Sequence, residues 1–274
     1  MVAMRFWSCL AALALTALAA AEDKAAAGVA VARFAYLSDA VESADISGRW
    51  HAASEGAPFA TGDRVRTGQT GLVRLEFPWM SLTAGPSSTV SIPAERVLST
   101  VLDLGRVETA SEGEDIVKLR TPEAEVRGQG RAVIRRTKGT TWVMAQEGTF
   151  RVESKDKTVV VKAGQGARVR SGKTPDAPIA QPEAPGDLWP GADPFYVQSG
   201  QPVALRWGGT APLYRLELLG LDSDEVLLAR ELAERQLSLV IPWLGTFRWR
   251  VYTLDREGLE GRPSAEGLVC VVDR

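Results

Sequence analysis

A single histidine, His51, limits what this chain of 274 residues can do with imidazole chemistry. A zinc site or a nucleophilic triad wants histidine with partners, so His51 reads as a surface or packing residue. Arg127-Gly128-Gln129-Gly130-Arg131 combines glycines with charge. It lacks the Gly-Lys-Ser/Thr ending of a phosphate loop, and reads as a turn between strands. Glu112-Gly113-Glu114-Asp115 gathers carboxylates and reads as a solvated loop. The two acids of a glycosidase need only meet in space, so an envelope hydrolase stays as the one catalytic alternative. No cofactor and no metal is expected, because no stretch of the chain carries the motif either would need.

Residues suited to holding a partner are easier to find. Arg131, Arg135, Arg136 and Lys138 form the most basic local patch. They suit an acidic protein or an anionic envelope polymer. They also suit the wet face of a strand, whose alternate side chains must meet solvent. Trp79, next to Pro78 at an expected turn, reads either as an exposed aromatic anchor or as a ring folded back onto the sheet. Tryptophans 50, 142, 189, 207, 243 and 249 read as core.

These side chains are carried on strands. Gly56 to Phe77, GAPFATGDRVRTGQTGLVRLEF, is cut by Gly62, Gly68 and Gly71 into short extended pieces. Gly62-Asp63 reads as a tight turn, since glycine takes positive φ freely and aspartate can bond its own backbone. Val73-Arg74-Leu75-Glu76-Phe77 alternates apolar and charged, the period of a half-buried strand. Similar short runs recur to residue 161, broken by glycine-containing turns. That spacing predicts an all-β sandwich, barrel or short solenoid. Arg64-Val65-Arg66-Thr67-Gly68 is echoed by Arg168-Val169-Arg170-Ser171-Gly172, a weak sign of stacked units. Residues 171–187, SGKTPDAPIAQPEAPGD, hold four prolines and read as a semi-rigid spacer and domain boundary. Beyond it, strands at Val203, Tyr214, Val226, Leu237, Phe247 and Leu268 suit a small immunoglobulin-like sandwich, with Trp207 facing the Phe247 strand.

The N-terminus speaks for export. Arg5, the apolar run Phe6–Ala21 and small residues before Glu22 make the pattern of a secretory signal peptide over 1–21. The run is shorter than the ~20 residues of a spanning helix, and no second long apolar run follows. An uncleaved signal anchor is the alternative. Removing the segment takes away Arg5 alone among charged residues, moving the formal net charge from −2 to −3. Nothing in that balance attracts nucleic acid. With Cys9 lost, Cys270 has no intramolecular disulfide partner and reads as a small buried hydrophobe.

Gly62-Asp63-Arg64-Val65-Arg66-Thr67-Gly68 resembles the "G-D-x-V-x-T-G" segment of the FecR family. Gly85-Pro86-Ser87-Ser88, Leu104-Gly105-Arg106-Val107, Thr121-Pro122-Glu123-Ala124-Glu125-Val126-Arg127-Gly128, Glu147-Gly148-Thr149-Phe150-Arg151-Val152 and Ala163-Gly164-Gln165-Gly166 follow in that family's order. The resemblance covers about residues 40–170. It implies a FecR-like β domain (29–170) and protein contacts in the bacterial envelope. Pro78-Trp79 departs from it, standing where members often carry an Asp-Gly turn. The family's sigma-factor role is not carried over, because only about five residues precede the apolar run. The part from 188 to 274 is similar to fibronectin type III modules through Trp207, Tyr214 and Trp249-Arg250-Val251-Tyr252.

The expectation is an exported, non-catalytic periplasmic or envelope protein. It would contact an envelope protein or cell-wall glycan, with no nucleic acid and no span once the signal is removed. A periplasmic component of a signalling relay, working through a separate membrane partner, is the main alternative.

Overall fold

The computed structural model describes residues 29–94, 99–222 and 226–273. The expected signal segment lies outside them. Regular structure among the described residues is all β, so the all-β expectation holds. None of them lies in a helix long and apolar enough to cross a membrane.

By their pairing the strands fall into two bodies. The first holds β1 (Ala30–Ser38), β2 (Val41–Ala44), β3 (Trp50–Ala52), β4 (Pro58–Ala60), β5 (Arg64–Thr67), β6 (Leu72–Phe77), β7 (Met80–Ala84), β8 (Thr89–Ser91), β9 (Thr100–Ala110), β10 (Val117–Arg120), β11 (Glu125–Gln129), β12 (Arg131–Thr137), β13 (Thr140–Ala145), β14 (Thr149–Ser154), β15 (Lys157–Lys162), β16 (Gln165–Arg170) and β17 (Ile179–Ala180). One layer runs β4-β1-β6-β7-β9-β12-β13-β16-β17. The other runs β3-β2-β5-β8-β9-β10-β11-β14-β15. Neighbours are antiparallel except β9 and β10. Alternate residues of both layers fill the core between them, among them Phe34, Phe59, Leu75, Leu82, Val107, Ile134, Val143 and Phe150.

Two glycines show how sequence sets this path. Gly62 turns at φ +91°, and the Asp63 carboxylate accepts the Ala60 N–H at 2.7 Å, as the Gly-Asp pair predicts. Gly105 interrupts β9 at φ +93°, where a Cβ would lie 2.3 Å from Ser88 Oγ. The positive φ bends β9, and the missing side chain lets it pass Ser88. Its first half pairs in one layer and its second half in the other.

The second body holds β18 (Phe195–Gln198), β19 (Pro202–Arg206), β20 (Leu213–Gly220), β21 (Val226–Leu232), β22 (Gln236–Val240), β23 (Gly245–Leu254), β24 (Glu260–Pro263) and β25 (Gly267–Val272). A sheet in the order β18-β25-β23-β20-β21, with β24 on β23, is joined by the pair β19-β22. Trp207 sits between Tyr214 (5.8 Å) and Trp249 (6.4 Å), sharing a core with Phe247. Cys270 is buried, its Sγ 3.3 Å from Thr246 Oγ1.

Three tryptophans depart from the core expectation. Trp189 and Trp243 are 47% and 44% exposed, and Trp50 is half-buried. Trp189 and Trp243 lie outside strands, each ring leaning on one phenylalanine, Phe195 or Phe247. Trp50 lies on β3, which among the described residues pairs with β2 alone, and the Arg66 guanidinium stacks 4.2 Å from its ring centre.

The proline-rich stretch is fastened along its length. Asp176 pairs with Arg168 at 2.9 Å, β17 pairs with β16, and the Gln181 amide donates to Glu260 O at 3.2 Å. Thr253 Oγ1 donates to Glu183 O at 2.9 Å, and Gly208 N–H to Gly186 O at 2.8 Å. Read from sequence as a spacer, it is a strap bonded to both bodies.

Candidate binding site at the junction of the two bodies

Several strands are buried on both faces, which needs a second partner beyond their own core. In β12, Ala132 and Ile134 face the sandwich core, while Val133 packs with Trp142, Met144 and Leu259. Leu259 comes from the second body. On the other flank Leu72 packs against Leu219, Val226 and Ala229. Trp142 Nε1 donates to Glu257 O at 2.7 Å, and Arg168 also pairs with Glu257.

Between these apolar flanks lies a buried ion cluster. Arg106 on β9 stands directly opposite Arg135 on β12, two like charges that would repel on an isolated sheet. The second body supplies their counter-charges. Arg106 Nε and Nη2 donate to Glu260 at 2.9 and 2.7 Å, a two-point grip. Arg135 grips Glu231 in the same way, at 2.6 and 2.9 Å. Within the second body, Glu217 Oε2 accepts from Arg250 Nε at 2.9 Å and from the Tyr252 hydroxyl at 3.0 Å. Arg215 Nη2 stands 2.7 Å from Glu217 Oε1, and its Nη1 stands 3.7 Å from Glu260 Oε2. Arg106 also lies 3.5 Å from Glu108.

Burial works against each of these charges, and the pairing decides the outcome. It would raise the Glu217 carboxyl, but Arg215, Arg250 and Arg106 hold it down at about 2. Glu260 and Glu231 resist the same burial and are also lowered, by Arg106 and Arg215 and by Arg135 respectively. Burial, and then Glu217, pushes the Tyr252 phenol well up. Glu217, Glu231 and Glu260 are therefore ionised at neutral pH, while the Tyr252 phenol keeps its proton.

At its edge a cavity of about 540 Å³ opens between the bodies. The bend at Gly105, the turn at Pro86-Ser87 and the β12–β13 turn form one wall, and Ala229-Arg230-Glu231 of β21 forms the other. Arg106, Arg135, Arg136, Lys138, Arg215 and Arg230 line it, against the single acid Glu231.

The structure thus brings three of the sequence-predicted residues together, Arg135, Arg136 and Lys138. Arg136 is tied to Glu123 at 2.8 Å, and Arg131 lies further along β12, 3.8 Å from Glu108. Trp79 does not line the cavity. It is half-buried at the β6–β7 turn, its ring 5.7 Å from Phe77 and packed on the first core. Sequence reading missed Arg106, Arg215, Arg230, Glu231 and Glu260. Tyr214-Arg215-Leu216-Glu217-Leu218 looks like a strand with one wet face. The available signal was nearby: Trp142 to Ala145 and Val251 to Leu254 have hardly a polar position to spare for solvent.

Serine, histidine and aspartate meet near one smaller cavity, about 260 Å³, holding Ser43, Asp45, His51 and Asp63. Ser43 Oγ is 3.3 Å from His51 Nδ1, which also lies 3.2 Å from Ala52 O. Asp45 accepts from Ser47 N–H and hydroxyl, and Asp63, pushed up by burial, accepts from Ala60 N–H. Neither carboxylate bonds the imidazole, so the ring lacks the orienting acid of a triad.

No family model matches the chain, and no curated protein sequence does. Among solved structures, it is similar to a candidate anti-sigma factor from Parabacteroides distasonis, at 11% identity and TM-score 0.38, over 43% of this chain and 59% of that one. It is also similar to the extracellular domain of a candidate one-component system from B. thetaiotaomicron, at 10% identity and TM-score 0.24, over 73% of this chain and 28% of that one. Titin domains A168–A170 overlap 91% of this chain and 97% of their own at TM-score 0.27 and 13% identity. The overlaps are loose, and the fold is read from the chain's own strands.

Proposed function

We propose that this chain is an exported, non-catalytic binding scaffold of the bacterial envelope, in which two β bodies act as one rigid unit. In this reading residues 1–21 are a signal segment, 29–170 a FecR-like β domain and 188–274 an immunoglobulin-like domain. The observation that carries it is the junction. A charged cluster shared between the bodies, flanked by apolar packing and crossed by the strap, holds two surfaces at a fixed angle. Rigid placement of this kind serves recognition, because little order is lost on binding. The lowered carboxyls are committed to arginines within the junction, where perturbed titration accompanies structure as readily as catalysis. The order of FecR-like motifs supports the envelope setting, and the partner is an envelope protein or cell-wall glycan.

The test is a crosslinking pull-down from intact envelopes with the full chain. Recovery of wall glycan, or of several envelope proteins, supports the scaffold. One dominant membrane protein would make the chain the periplasmic part of a signalling relay. Sustained turnover of a defined substrate by the purified chain would overturn the non-catalytic reading.

A further inference from the structure

We propose that the junction cavity binds a small organic oxyanion, a carboxylate or phosphate on a partly apolar body. The inference rests on the rigid two-body reading, because each body supplies one wall. Cations line the cavity, and their partners divide them into two groups. Arg106 and Arg136 are spent on Glu260 and Glu123. Lys138 and Arg230 have no acidic partner among the described residues. Arg230 Nη1 donates only to the neighbouring Ala229 carbonyl, at 2.9 Å.

The charge beneath the lining points the same way. Arg215, whose side chain is 3% exposed, makes no hydrogen bond through Nη1, and Arg135 makes none through Nε. Both atoms are closed off beneath the lining, with Arg215 Nη1 3.7 Å from Glu260 Oε2, so these arginines add positive potential to the cavity rather than free donors. An oxyanion is the chemical class that answers the two unmatched cations on the lining, since arginine and lysine both donate to carboxylate and phosphate oxygens. Pro86, Leu104 and Ala229 add apolar surface to the lining, and about 540 Å³ is the size of a small-molecule pocket. The ligand is therefore more than a bare inorganic ion.

Isothermal titration of the intact chain with phenyl phosphate, benzoate, inorganic phosphate and benzyl alcohol tests this. The expected result is saturable binding of phenyl phosphate or benzoate, weaker for inorganic phosphate and absent for benzyl alcohol. Which aromatic anion binds more tightly assigns the phosphate or the carboxylate. Lys138→Ala with Arg230→Ala should weaken it at least tenfold with an unchanged melting temperature, while Arg127→Ala on β11 should not. No saturable binding of either aromatic anion at millimolar concentration overturns the proposal, as does affinity untouched by the double variant. The double variant's envelope pull-down separates the two readings, since the scaffold can stand where the anion site fails.

Discussion

Replacing Glu260 with glutamine removes one charge from the centre of the junction while keeping the side chain's shape. Glu260 is 1% exposed and accepts both hydrogen bonds of the Arg106 fork, with Arg215 Nη1 3.7 Å away. Arg106, Arg215 and Arg250 now face Glu108, Glu217 and Glu260. Glu260→Gln leaves one uncompensated positive charge in a site closed on both flanks by apolar packing. Breaking a buried pair from one side costs about 3–5 kcal/mol, against ~0–1 kcal/mol for a surface pair. For a chain of this size that lowers the melting temperature by roughly 6–20 °C. Urea unfolding followed by tryptophan fluorescence gives the free energy, and small-angle scattering shows whether the bodies separate before they unfold. The control is Arg106→Met with Glu260→Leu. Removing both charges leaves no orphan, so that variant should lie well above the single one, a coupling of about 2 kcal/mol or more. A Glu260→Gln chain within about 0.5 kcal/mol of the parent would refute the reasoning, because surface substitutions alone reach that range.

The remaining predictions concern acid, the bend in β9 and the second core. Glu217, Glu260 and Glu231 titrate below their ordinary values when folded, so the unfolded chain binds more protons as pH falls. Their contribution is complete above the usual glutamate range and is lost on acidification through the lowered values. Denaturant midpoints should fall steadily below pH ~4.3, and a flat profile there would contradict the pairing. Gly105→Ala brings a Cβ against Ser88 at a positive φ, and should destabilise by at least about 1–3 kcal/mol in the same urea assay. Trp207→Ala empties the space between Tyr214 and Trp249 and should cost about 3–5 kcal/mol by thermal melting.

What the sequence shows plainly is whatever short-range chemistry controls. The Gly62-Asp63 turn, the alternation of Val73 to Phe77 and the central place of Trp207 all follow from local rules, and all are present. β18 and β24 were not anticipated. Glu260–Pro263 is short, charged and proline-ended, and among the described residues pairs with β23 alone. Its structure comes from its partner rather than its own propensity. The junction was hidden for a similar reason. Arg215, Glu217 and Arg250 look like wet-face residues until a second body covers them, and alternation alone cannot distinguish water from a facing arginine or glutamate. The strap carries the same lesson, since proline density speaks for stiffness and is silent on what the stiff segment lies against.

Strand β9 has a consequence for how the first body is put together. Both layers run through it, with β7 and β8 on its earlier side and β10 and β12 on its later side. Strands made before residue 100 leave an edge in each layer waiting for this one strand. When it arrives it offers two fresh edges, one per layer, to the strands that follow. A chain threading out N-terminus first therefore cannot seal half of its sandwich and then begin the other half. The open edges are templates for mispairing until they are covered, so the interval around β9 is when this chain is most exposed to aggregation.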